Sequence, residues 1–182
     1  MSKGWQISQV SQSDIVAALS LYEMFDEYSG KVDERKRDLQ RQRISSHRYW
    51  VNILNPRTAD SAAGYYVLDL QSPKYPGKFL FDQMFIHPDY RGQKLGTFMA
   101  AHCLYTVARI YDDARTQAKH LPKQIIGEHF RKEATLYPEN LAAIKKLLGN
   151  FGFRDLPQKE NACPKSYLQI DDSIMKYAEL FA

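Results

Sequence analysis

Cysteine is almost missing from this chain: Cys103 and Cys163 are its only two, far apart and in no metal-ligand spacing. Such a pair points to free thiols in a reducing compartment rather than to a disulfide framework or a zinc site. Long hydrophobic runs are missing too, since no apolar stretch approaches the roughly 20 residues that span a bilayer. The opening Met-Ser-Lys-Gly-Trp-Gln lacks the apolar character of a secretion signal. A cytoplasmic protein with no membrane partner and no metal is therefore expected. There is no internal repeat and no low-complexity tract. What remains is 182 residues, 44% hydrophobic and 25% charged, which suits a single domain over residues 1–182 with a substantial core.

Charge is uneven. Lys31, Arg35, Lys36, Arg37, Arg41, Arg43 and Arg48 face only Asp33, Glu34 and Asp38 in the same segment, and that surplus equals the whole net charge of +4. A nucleic-acid-binding protein could carry such a patch. Here it has no interleaved aromatic residues and sits in no DNA- or RNA-binding motif, so a solvated helix face is expected and nucleic acid is not the expected partner.

Periodicity gives a mixed α/β order of elements. Trp5 to Val10 alternates as a strand, and Ser13 or Asp14 caps a helix with Ile15, Leu19, Tyr22 and Phe25 at helical spacing. A polar helix over Val32 to Ile44 follows, then a strand Tyr49 to Leu54, a turn Asn55 to Asp60, a strand Gly64 to Leu70 and a hairpin loop Ser72 to Gly77. The strand Lys78 to His87 leads to a helix from Leu95 to about Arg115. A strand near Gln124 to Phe130, a helix from Asn140, and strands near Phe153 and over Ser166 to Ile170 complete the order. Residues 171–181 read as an extra amphipathic helix with Ile174, Tyr177, Ala178 and Phe181 on one face; packing on the core is expected, with a homodimer contact as the alternative.

One stretch carries chemistry. From Phe79 to Thr97 a buried strand passes through the basic glycine turn Arg91-Gly92-Gln93-Lys94-Leu95-Gly96-Thr97 into a helix. A helix N-terminus leaves backbone N–H groups without intrahelical partners and adds partial positive charge, so it favours a phosphate or diphosphate. The Gly-Lys-Ser/Thr of a nucleoside-triphosphate loop and the G-x-G-x-x-G of a dinucleotide fold are both absent from this turn.

This turn resembles the Arg/Gln-x-x-Gly-x-Gly/Ala loop of the GNAT N-acetyltransferase superfamily, with Lys94 where that family usually has a glycine. Asn140-Leu-Ala-Ala143, followed after the helix by Gly152-Phe153, resembles the family's second signature, one residue longer before Gly152. The resemblance covers nearly the whole chain. It implies a central, mostly antiparallel sheet splayed at the cofactor site and flanked by helices. It also implies acetyl-CoA as acyl donor and an amine as acceptor, small molecule or peptide. Positions 91 to 97 would hold the pyrophosphate, backbone groups of Met84, Phe85 and Ile86 the pantetheine, and Asn140 the cofactor arm. A non-catalytic acyl-CoA-binding module is the alternative.

Asp82 shares a strand face with Leu80, Met84 and Ile86. A buried carboxylate costs several kcal/mol unless it is paired, bonded or protonated, so Asp82 is either a structural partner or a general base. The resemblance supports the base, because some polyamine-type members carry an acid nine positions before the loop arginine. In many members of that family a tyrosine seven residues after the motif asparagine is the general acid, so the resemblance implies an acid at the position that is Leu147 here. Tyr137 is the candidate substitute, with Tyr105 and Tyr111 behind it. A thiolate with a pKa near 8.5 could also leave unassisted.

Overall fold

The computed structural model describes residues 4–10, 49–57, 62–116, 121–128, 138–157 and 165–179. Seven strands, β1 (Trp5–Gln9), β2 (Tyr49–Pro56), β3 (Gly64–Asp69), β4 (Phe79–Ile86), β5 (Gln124–Glu128), β6 (Arg154–Asp155) and β7 (Lys165–Gln169), form one sheet in the order β1-β2-β3-β4-β5-β7-β6. Among the described residues two α-helices, α1 (Leu95–Thr116) and α2 (Pro138–Asn150), and two 3-10 turns, Pro88–Tyr90 and Asp172–Tyr177, accompany it. The sequence-predicted helices at 13–25 and 32–44, together with Tyr137 and Cys163, lie outside the described residues. Among the described residues no helix is long and apolar enough to cross a membrane.

The chain groups into two compact units, residues 1–70 with 83–99, and residues 71–82 with 100–182, so β4 and α1 contribute to both. In the first unit β1, β2 and β3 form an antiparallel meander in which Val51 faces Val67 and Ile53 faces Tyr65. Period-two alternation gathers Val51, Ile53, Tyr65, Val67 and Phe85 into one buried cluster, with Val10 and Ala62 packed against it. Each such side chain contributes roughly 1.5–3 kcal/mol by leaving water. All of β3 is buried, the pattern of a strand covered on both faces. Gly64 is required at its start, since a Cβ there would stand 2.4 Å from the Phe85 carbonyl oxygen. β2 runs on through Asn55 and Pro56, where a turn was expected, because Asn55 and Pro56 are in register with Gln6 and Trp5 of β1.

In the second unit β7 lies between β5 and β6, antiparallel to both, while β4 and β5 are parallel from Phe79–Ile125 to Phe81–Gly127. The β4–β5 ladder stops there, whereas the β5–β7 ladder runs on to Glu128, which pairs with Lys165. Along α1, the buried Leu95, Met99, Ala100, Cys103, Leu104, Val107 and Ala108 repeat at helical spacing. α2 begins at Pro138, not Asn140: proline's fixed φ suits the first helical position, and Asn140 falls inside the first turn. α2 closes with Gly152 at φ 87, the Gly152 and Phe153 N–H groups donating to the Gly149 and Leu148 carbonyls at 3.0 and 3.1 Å.

The C-terminal segment forms a 3-10 turn over Asp172–Tyr177 rather than an α-helix. Asp171 caps it, its carboxylate accepting from the Ser173 N–H at 2.9 Å. Ile174 and Tyr177 are buried, and Tyr177 packs beside Phe151 with ring centroids 6.1 Å apart. Of the face expected to pack on the core, Ile174 and Tyr177 do so, Ala178 is half-buried, and Phe181 lies outside the described residues.

Candidate functional site

After Ile86 the chain leaves the sheet in a sequence of short-range bonds. The His87 N–H donates to the Ala63 carbonyl at 2.8 Å. Pro88–Tyr90 then make one 3-10 turn, with proline where its missing N–H costs nothing. His87 Nδ1 accepts from the Asp89 N–H at 3.3 Å, and the N–H groups of Tyr90 and Arg91 donate to the carbonyls of His87 and Pro88 at 3.0 and 3.1 Å. The Tyr90 ring meets Trp5 edge-on at 5.5 Å and lies 5.9 Å from His87, which fastens the turn to β1.

Arg91, Gly92, Gln93 and Lys94 are exposed, and the backbone is left-handed at Gly92 (φ 81) and at Lys94 (φ 59). A Cβ at Gly92 would meet nothing within 4 Å, so its outer side is open space. Lys94 is the only non-glycine residue with positive φ among the described residues, a conformation that costs a lysine on the order of 1 kcal/mol. Its carbonyl accepts from the Phe98 N–H at 3.1 Å, so α1 starts here. The N–H groups of Leu95, Gly96 and Thr97 therefore have no acceptor within the helix, and its first turn holds no acidic residue. Backbone donors, the positive end of the helix and the cations of Arg91 and Lys94 all favour an anion at this turn. The donor set fits a diphosphate such as that of acetyl-CoA.

Arg91 has a second attachment: its Nε–H donates to the Ile86 carbonyl at 3.1 Å. No feature of the sequence signalled that bond, whereas Pro88 did mark the 3-10 turn. Met84, Phe85 and Ile86 lie in the same compact unit as the loop; Asp82 and Asn140 fall in the second unit.

The sequence reading made Asp82 a buried carboxylate on a central strand. Asp82, Gln83 and Met84 are instead half-buried, while Phe79, Leu80 and Phe81 are buried. The reason is the ladder with β5, which ends at Phe81. On the opposite strand face, Gln83 accepts a hydrogen bond from the Tyr65 hydroxyl at 3.2 Å, and Tyr65 packs 6.0 Å from Phe85.

The tyrosines on α1 are not alike. The Tyr111 hydroxyl donates to the Pro122 carbonyl, its ring lies 6.4 Å from Phe79, and burial raises its pKa. The Tyr111 hydroxyl is thus engaged in a bond to the backbone. Tyr105 lies beside His102, with ring centroids 5.4 Å apart, and burial lowers the His102 pKa to about 4. The Cys103 thiol is buried and its pKa is pushed up, so it holds its proton at neutral pH. Leu147 is half-buried on α2.

No protein-family model matches the sequence. No curated protein matches it either. Solved structures do. The chain is similar to the spermidine N-acetyltransferase of Vibrio cholerae, solved with CoA and spermine, at 12% identity over 97% of this chain and 99% of that one, with a TM-score of 0.64. An acetyltransferase of the GNAT family from Staphylococcus aureus is 13% identical over 92% of this chain and 99% of that one, with a TM-score of 0.62. The chain has the GNAT fold. The ribosomal-protein-S18-alanine N-acetyltransferase of Escherichia coli shares it too, at 15% identity, 90% coverage of both chains and a TM-score of 0.58. Those GNAT-fold enzymes differ in acceptor, one a polyamine and one a protein alanine, so the fold leaves the acceptor open.

Proposed function

We propose that this chain is an N-acetyltransferase that moves an acetyl group from acetyl-CoA to a primary amine by direct attack, in a cytoplasmic setting. The observation that carries the reading is the turn from Arg91 to Thr97, which presents helix-terminal donors and two cations and holds no carboxylate in the first helical turn. In this reading the turn holds the diphosphate. Backbone groups of Met84, Phe85 and Ile86 bind the pantetheine. Asn140, in the first turn of α2, steadies the cofactor arm.

Asp82 takes the proton of the acceptor ammonium, directly or through water. The freed amine then attacks the thioester carbonyl carbon; the C–N bond forms, the C–S bond breaks, and CoA leaves as the thiolate. Holding both reactants in place supplies much of the rate. Half-burial leaves Asp82 reachable by an acceptor, as a base must be. Leucine at 147 cannot donate a proton, so Tyr137 is assigned the acid role for the leaving thiolate.

The test is thiol release from acetyl-CoA across a panel of amines that spans polyamines, small amines and peptide N-termini. Wild type should turn over at least one of them, and Asp82→Asn should be about 10²- to 10⁴-fold slower, the range for a positioned base. CoA binding by calorimetry should survive Asp82→Asn and should be lost in Gly96→Trp, whose side chain would fill the phosphate position. Binding without turnover of any amine would make the chain a CoA-binding module; no binding at all would end the reading.

A further inference from the structure

We infer that Arg91 serves this site as a positioning residue, a brace between the end of β4 and the anion-binding turn, and that its hydrogen-bonding nitrogen matters more than its charge. The inference rests on the proposed CoA-binding role of the turn.

Everything before Arg91 is fixed by short bonds. His87 is tied to Ala63, the 3-10 turn is closed through the carbonyls of His87 and Pro88, and Tyr90 is packed between Trp5 and His87. Just after it the backbone is left-handed twice within three residues, freely at Gly92 and at a cost at Lys94. Costly backbone persists only where its surroundings over-determine it. Arg91 stands at that junction, and its Nε–H donates back across five residues to the Ile86 carbonyl. The bond uses the last carbonyl of the strand and fixes the exit direction of the chain.

The atom involved makes the inference testable. Arginine Nε is bonded to Cδ, and so is glutamine Nε2, so a glutamine places an N–H donor at the same distance along the side chain without any charge. Lysine has a methylene there and carries its ammonium one atom further out. A brace therefore predicts that Arg91→Gln outperforms Arg91→Lys. A charge contact to phosphate predicts the reverse.

The experiment measures CoA binding by calorimetry at low and high salt for wild type, Arg91→Gln and Arg91→Lys, all as the full chain. Expected are a Kd within about threefold of wild type for Arg91→Gln and about tenfold or more weaker for Arg91→Lys, the loss following from a turn no longer preorganised. Arg91→Gln should keep most of the wild-type salt dependence, because the helix-terminal donors and Lys94 remain and only one exposed, screened cation is lost. Lysine matching wild type, or Arg91→Gln losing both affinity and salt dependence, would overturn the inference. A readout without CoA stands beside it: amide order parameters of residues 92–96 in the free protein should fall in Arg91→Lys and hold in Arg91→Gln. Equal order in all three proteins would also overturn it, whereas absence of CoA binding by wild type alongside the expected order parameters would count against the proposed function and not against the brace.

Discussion

Two turns in this protein use left-handed backbone to opposite ends. The turn after α2 sets Gly152 at φ 87 and returns the N–H groups of Gly152 and Phe153 to the helix's last carbonyls. The turn before α1 sets Gly92 and Lys94 in the same region, and its helix-terminal N–H groups have no helical acceptor. The first is closed and leads to the buried Phe153. The second is open, basic and exposed. A positive φ therefore does not mark a site; where the orphaned backbone groups go does.

The comparison can be broken or sharpened by substitution, the largest effects lying on the closed side. His102, in the second unit, has its pKa lowered to about 4 by burial, against 6.5 for an ordinary histidine. Between those values the unfolded chain binds a proton that the folded chain refuses. Stability present above pH 6.5 is thus lost as pH falls towards 4, by about 3 kcal/mol for this group. His102→Gln, which cannot titrate, should flatten that part of a urea-denaturation series against pH; an unchanged acid slope would show that His102 is accessible to protons.

Gly152→Ala should cost about 1.5 kcal/mol in the same denaturation, since alanine is strained at φ 87, and should leave CoA affinity alone. A change in CoA affinity would mean that the closed turn also bears on the site. Tyr111→Phe removes the bond to Pro122 and should cost about 1 kcal/mol with turnover unchanged; a fall in rate would return Tyr111 to the list of proton donors. The smallest effect belongs to the open turn. Lys94→Gly should raise stability by about 0.5 kcal/mol, the relief of left-handed strain offset in part by glycine's greater freedom when unfolded. A thermal scan that shows destabilisation would mean that the lysine side chain has a favourable contact.

Much of the fold was legible in the chain. The alternation at Trp5 to Gln9, the β3 and β4 runs, the α1 stripe and the strand–turn–helix at Phe79–Thr97 are all local patterns. Asn140 illustrates the limit of such reading: the helix was expected to start there, and it starts two residues earlier at Pro138. Residues 171–181 had a helical stripe, yet Asp172–Tyr177 form a 3-10 turn with Ile174 and Tyr177 buried. The candidate phosphate turn was legible because its donors come from consecutive residues. The catalytic assignment was less so, since a side chain's solvent exposure is set by distant neighbours.

By itself, then, the sequence determined the order of the described elements and the location of a candidate anion-binding turn, because hydrophobic periodicity and unpaired helix-terminal groups are properties of neighbouring residues. Only the tertiary structure decided that Asp82 is half-buried, where β4 runs past its last pair with β5. It alone decided that Arg91 reaches back to Ile86 and that Tyr111 is engaged by Pro122. Each of these depends on which backbone carbonyl or strand comes to lie beside a given side chain, and that proximity is created by folding.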